Sequence, residues 1–181
     1  MAAGEVTRVV HRCEQASEDG KLDLSQCLLT SFPDAVFHLT RHVTVESCDL
    51  SHNVMKKLPA KFASKFIHLK VLDVSSNKLE SLPESLSQLP DLHTLNASDN
   101  CLDAFPSTLV TALPKLKVLN LRNNNITDVD HPCLVTAKSN SLLEVNLEGN
   151  PLTNDCRTRL ENFSELNIHT SDPVDNYDCL D

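Results

Sequence analysis

The segment HLTRH places His38 and His42 four residues apart, the spacing at which two imidazoles on one helical face can hold a zinc ion. The glutamate that serves as general base in an HExxH site is missing, so a solvated pair on an outer arc is the expectation. His131 and Cys133 in HPC offer two potential ligands in a loop, too few for a metal site. Cys179 has Asp178 before it and Asp181 after it, and these acids disfavour the thiolate that a nucleophile needs. Gly4, Gly20 and Gly149 are the only glycines, and they form no phosphate-cradling loop. No catalytic residue, cofactor or metal site is therefore expected, and the chain reads as a non-enzyme.

Three carboxylates are spaced regularly. Asp23, Asp49 and Asp73 stand in LDLS, CDLS and LDVS. What positions them is a repeating template, LxxLxLxxNxLxx(L/F)P, whose asparagine recurs as Asn53, Asn77, Asn100, Asn124 and Asn150, with Cys27 at the same place in the first copy. Counted from Asp19, Val45, Leu69, Leu92, Leu116 and Leu142, the intervals are 26, 24, 23, 24 and 26 residues. The LxL pairs, such as Leu72 with Val74, point inward from short strands, which can pair only in parallel because every connection runs the same way round. An asparagine after each strand offers two donors and an acceptor to backbone groups left inside the corner. Stacked amides should thus form a structural ladder, not a surface that reads a ligand.

This period, with SFP, KLP, SLP and AFP after the ladder position, resembles that of intracellular leucine-rich-repeat proteins, and the resemblance covers nearly the whole chain. It implies an α/β fold: a right-handed leucine-rich-repeat solenoid with a parallel sheet on the concave side and helical caps. Residues 6–33 and 109–130 resemble, more narrowly, a small vertebrate branch of that family that brings no activity or partner with it.

The expected organisation is an N-terminal helical cap over 1–18, six repeats over 19–152, a C-terminal cap over 153–170 and an acidic, frayed tail over 171–181. Val6, Val9, Val10 and Cys13 give the first cap its apolar stripe. Thr153 or Asn154 starts a last helix that buries Cys156, Leu160 and Phe163.

Of the 25 acids, six lie in residues 160–181, which carry no Lys or Arg; the rest of the chain is nearly balanced against its 16 basic residues. Without a basic, aromatic face, nucleic acid is not an expected partner. The first residues have no apolar core of a signal peptide and no run is long enough to cross a bilayer, so no membrane is expected either. The sequons at Asn96, Asn125 and Asn162 are then expected to stay unmodified. Seven scattered cysteines fit a reducing, cytoplasmic compartment, with the nucleus also open to the protein.

The concave face is where such solenoids bind. Its outward columns are Asp23, Asp49, Asp73, Asn96, Asn120, Asn146 and Ser25, Ser51, Ser75, Ser98, Arg122, Glu148. At roughly 5 Å between neighbours, Arg122 can pair with Glu148 and Glu46 with Lys70, whereas the three aspartates repel by about 1 kcal/mol per neighbour when solvated. A protein partner with a basic segment would relieve that repulsion. The sequence therefore points to a non-catalytic protein–protein interaction module, with a regulatory or targeting subunit of a cytosolic enzyme such as a phosphatase as the alternative. The partner-binding residues expected on this face are Asp23, Ser25, Asp49, Ser51, Asp73, Ser75, Asn96, Ser98, Asn120 and Arg122.

Overall fold

In the computed structural model, which describes residues 3–164 and 166–171, the chain winds through seven short strands, β1 (Lys21–Asp23), β2 (Ser47–Asp49), β3 (Val71–Asp73), β4 (Thr94–Asn96), β5 (Val118–Asn120), β6 (Glu144–Asn146) and β7 (Asn167–His169). They form one parallel sheet in sequence order. The register aligns Leu22, Cys48, Leu72, Leu95, Leu119, Val145 and Ile168 across the stack. Between strands the chain returns through short helices: α2 (Asp34–Leu39), α3 (Phe62–Lys65), a 3-10 turn (Glu84–Gln88), α4 (Ser107–Ala112), α5 (His131–Asn140) and α6 (Asn154–Glu161). The inward side chains of strands and arcs make one continuous core, in which Phe32, Phe37, Phe62 and Phe66 pack with ring centroids 4.8 to 6.0 Å apart.

The buried amides act as the repeat implies. The Asn77 amide nitrogen donates to Leu50 O of the preceding coil and to Val74 O and Ser75 O of its own, at 2.9 to 3.1 Å, while its oxygen accepts from Met55 N at 3.0 Å. Asn53, Asn100, Asn124 and Asn150 make the same set of contacts one coil apart. The residue before each ladder position is left-handed: Gln26, His52, Ser76, Asp99, Asn123 and Gly149 all have φ between 53° and 69°. At Gly149 the requirement is steric as well, because a Cβ there would run into Asn123 Oδ1.

Because each amide serves the coil before it as well as its own, the ends need other partners. Helix α1 (Ala3–Asp19) lies against β1, and its Arg12 donates to Ser25 O at 2.5 Å and Asp23 O at 3.2 Å. Cys27 therefore stands where no earlier coil asks for an amide, and its sulfur also receives Arg12 at 3.6 Å. At the far end Arg157 donates to Ser171 O, to Leu152 O at 3.2 Å and to Asn150 O at 3.4 Å.

Two features depart from the sequence reading. The buried stripe of α1 is Val9, Cys13 and Ala16, while Val6 is exposed and Val10 half-buried, so the helix is rotated from the expected face. The residues after Phe163 do not continue a cap; Leu166 and Ile168 repeat the alternation of a template strand and add β7 to the sheet. Residues 172–181, assigned to the tail, lie outside the described residues, as does Cys179.

Cys13, Cys27, Cys48, Cys133 and Cys156 are buried, whereas Cys101 is exposed. Burial raises the Cys13 thiol from 9.0 to about 11, with Cys27 and Glu14 adding to the effect. Burial likewise raises Cys48, whose neighbour Asp49 contributes, as well as Cys133 and Cys156.

Asn77→Ala strands three buried carbonyls and an N–H, and is expected to cost about 2 kcal/mol in urea unfolding, against under about 0.5 kcal/mol for the exposed Asn125→Ala. A thiol whose folded pKa is raised contributes stability that is complete below its ordinary value and lost as pH rises toward the folded one. Stability should thus fall from pH 9.0 toward about 11, with a slope approaching roughly 1.4 kcal/mol per pH unit for each such thiol. Cys13→Ala should flatten that slope in a urea series; an unchanged slope would remove Cys13 from the account.

Candidate functional site

The concave surface is built from strand residues whose side chains alternate with the buried LxL pair. In the register, Asp23, Asp49, Asp73, Asn96, Asn120, Asn146 and His169 form one column. Each of the first six accepts, through its side-chain oxygen, the backbone N–H two residues on: Ser25, Ser51, Ser75, Ser98, Arg122 and Glu148, at 2.8 to 3.2 Å. The Asp/Asn requirement of this column is therefore first a turn requirement, the side chain closing the bend that ends each strand. This missed role was signalled in the sequence by an Asp or Asn at the same place in every repeat.

The serine column sits differently from the sequence reading. Ser51, Ser75 and Ser98 are only 6 to 8% exposed, because the chain has already begun to turn inward toward the ladder. Ser25 and Ser75 point their hydroxyls back at Asp23 and Asp73, at 2.7 and 2.6 Å. None of the three buried serines is available to a partner. Arg122, by contrast, is exposed and pairs with Glu148 at 3.1 Å, and Lys70 pairs with Glu46 at 2.9 Å.

The aspartates are also not equivalent. Asp23 is paired with Arg12 at 3.0 Å, and Asp73 Oδ2 accepts the Asn96 amide at 2.9 Å. Both thus have the local partners that the sequence reading denied them. Asp49 lies between them, half-buried, and among the described residues its carboxylate receives only Ser51 N. Beside the column runs Lys21, Ser47, Val71, Thr94, Val118 and Glu144, with Val71 and Val118 giving the middle of the face an apolar strip.

Elsewhere the candidates do not assemble. Helix α2 ends at Leu39, so His42 lies beyond it and receives Arg41 Nε at 2.9 Å instead of facing His38. HPC opens helix α5 and is not a loop, and Cys133 is turned into the core toward Ser107 O. Among the described residues no group of three or more His, Cys, Asp or Glu is placed to hold a metal. The arc side carries a concavity of about 390 Å³ lined by Asp103, Phe105, Thr127, Asp128, Asp130 and Arg159. Its Asp128 is held below the usual carboxylate range by the Val129 N–H and by Arg159, which also reaches Asp155 at 3.1 Å. On the opposite edge, Asp91 is lowered likewise by Lys115 at 2.6 Å.

Comparison with known proteins agrees with this geometry. The leucine rich repeat family matches residues 43–102 and, in a second form, residues 115–136. Human leucine-rich repeat-containing protein 20 is 36% identical over 91 residues, which is 48% of this chain and 50% of that one. Human PH domain leucine-rich repeat-containing protein phosphatase 1 is 32% identical over 113 residues, 62% of this chain but 6% of the phosphatase. The chain thus spans half or less of these relatives. Among solved structures, a TLR13–ssRNA13 complex aligns with a TM-score of 0.64 and 27% identity over 83% of this chain and 21% of that one. The leucine-rich repeat domain of APL1B gives the same score at 22% identity, over 84% of this chain and 44% of that one, and so shares the fold. The periodic ladder, the parallel sheet and these likenesses give the chain the fold of a leucine-rich-repeat solenoid.

Proposed function

We propose that the protein is a non-catalytic interaction module that holds a protein partner on its concave face, through a basic segment laid across β1–β3. The observation that carries this reading is Asp49. It is a half-buried carboxylate between Asp23 and Asp73, and, unlike them, it has neither a cation nor an amide at its second oxygen among the described residues. An incoming Lys or Arg gains most there, with the apolar Val71 beside it. Asn96, Asn120 and Arg122 extend the same surface.

The phosphatase likeness favours one alternative. Its match to this chain amounts to 6% of that protein, and in this alternative the repeats act as a regulatory or targeting part of such an enzyme. A cytoplasmic or nuclear setting is supported by the buried Cys13, Cys48, Cys133 and Cys156, which form no disulfide among the described residues and suit a reducing compartment. Among the described residues no helix is long and apolar enough to cross a membrane.

The test is affinity capture from cytosol with the wild-type chain, then with Asp49→Lys and with Glu161→Lys on the last helix as a control of equal charge change. Loss of the captured partner in the first variant alone, with unchanged thermal melting, is the expected outcome, and binding should weaken as salt rises. Retention by a folded Asp49→Lys would remove the concave column from consideration. A catalytic subunit recovered in stoichiometric amount would favour the targeting role.

A further inference from the structure

The face that carries the ladder turns has a charge pattern that the concave-face reading leaves unused. Immediately after the ladder positions, backbone bonds tie adjacent coils: Val54 N to Leu29 O, Lys78 N to Met55 O and Cys101 N to Leu79 O. These bonds stack Leu28, Val54, Lys78 and Cys101 in one column, at roughly 5 Å per coil. Lys56 and Lys57 follow two and three residues after Val54, and both are exposed. Among the described residues none of Lys56, Lys57 and Lys78 has a carboxylate within ion-pair distance. Of the six lysines in residues 56–78, Lys61 and Lys70 are paired with Asp34 and Glu46 away from this face and Lys65 stands on α3, which leaves it Lys56, Lys57 and Lys78 in a chain whose formal net charge is −9.

Two coils further along the same face the sign reverses. Asp103 is the counterpart of Lys56 in its repeat, and Asp130 joins it at the mouth of the 390 Å³ concavity. Both are exposed and, among the described residues, neither has a cation partner, whereas Asp128 beside them is already held by Arg159. Glu80, in the third coil, lies next to Lys56 of the second, its backbone N–H donating to Lys56 O at 3.4 Å, and so belongs to the basic half of the face. At the basic end Leu28 is 63% exposed and Val54 36%, and Leu28 is held at a left-handed φ of 53°, a conformation leucine rarely takes.

A face that is basic at one end and acidic at the other is complementary to itself under a twofold rotation. We infer that this face pairs two copies of the chain in an isologous dimer. The lysines of one copy meet the carboxylates of its partner, twice over, and the axis passes between the third and fourth coils. In that register the second coil of one copy opposes the fifth of the other, so Lys56 and Lys57 face the acidic mouth. Lys78, in the third coil, opposes Asp103 in the fourth. Val54, beside Lys56 in the second coil, is covered in that register, while Leu28 in the first coil opposes the sixth. The concave face stays open in this arrangement, so the dimer does not rest on the reading of Asp49.

Sedimentation equilibrium of the full chain tests it. At about 100 µM and low salt the wild type should have about twice the 20.0 kDa monomer mass, falling toward the monomer as salt rises to about 0.5 M. The triple variant Lys56→Glu, Lys57→Glu, Lys78→Glu and the opposite double variant Asp103→Lys, Asp130→Lys should each be monomeric alone and restore the doubled mass when mixed in equal amounts. Where either variant fails to fold by circular dichroism, the pair Lys57→Glu and Asp103→Lys is measured in the same way. Asp49→Lys should dimerise like the wild type. A monomeric wild type at low salt overturns the inference, as do swapped variants that dimerise alone or that stay monomeric when mixed.

Discussion

The buried asparagine amide at each corner is the interaction from which the rest of this structure follows. A chain that turns sharply away from a strand leaves backbone N–H and C=O groups inside, and leaving one unpaired costs about 1 to 3 kcal/mol. One amide with two donors and an acceptor can serve several of these groups, provided that it lies between two coils. Asn77 does so by taking a carbonyl from the coil before and two from its own. The geometry ties every coil to its predecessor, which is why the strands are parallel and in sequence order.

The same arrangement creates a problem at the ends, and both ends solve it with arginine. Arg12 comes from a helix outside the repeats and Arg157 from the helix after the last full one, and each reaches several backbone carbonyls at once. A guanidinium has five donors in a rigid fork and no acceptor, which suits a terminus where carbonyls are left over and no further coil follows. The arginine at the front also meets Asp23, so the first member of the concave column is tied to the cap. Stability of the solenoid end and charge of the concave face are thus coupled through one side chain.

The ladder could be read from sequence because its determinants are local and periodic: an asparagine at a fixed offset from an LxL pair, recurring at Asn53, Asn77, Asn100, Asn124 and Asn150. Arg12 could not, since nothing in VVHRCEQ says which way the helix is rotated, and one residue of rotation moves Val6 from core to solvent. β7 escaped because LNI carries one apolar pair and no following asparagine. The serine column illustrates a different failure. Strict alternation places Ser51, Ser75 and Ser98 with the aspartates on the open face, but the turn that the aspartates themselves close rotates those serines inward.

That turn also limits what the concave face can do. An Asp or Asn that accepts the N–H two residues on has already used one oxygen to close the bend, and in Asn96 the remaining amide is turned to Asp73. Most of the polar groups there serve the fold, and Arg122 is paired with Glu148, which leaves one oxygen of Asp49 and the apolar Val71 without a structural duty. A partner held on the proposed concave site would therefore be selected by charge and shape more than by a dense set of hydrogen bonds. The face of the ladder turns differs because its bends are closed by buried asparagines, which leave the outward side chains free of structural duty. Lys56, Lys57 and Asp103 are therefore free to vary in charge from coil to coil, and a repeat protein can carry a pattern along that face without disturbing the corners beneath it.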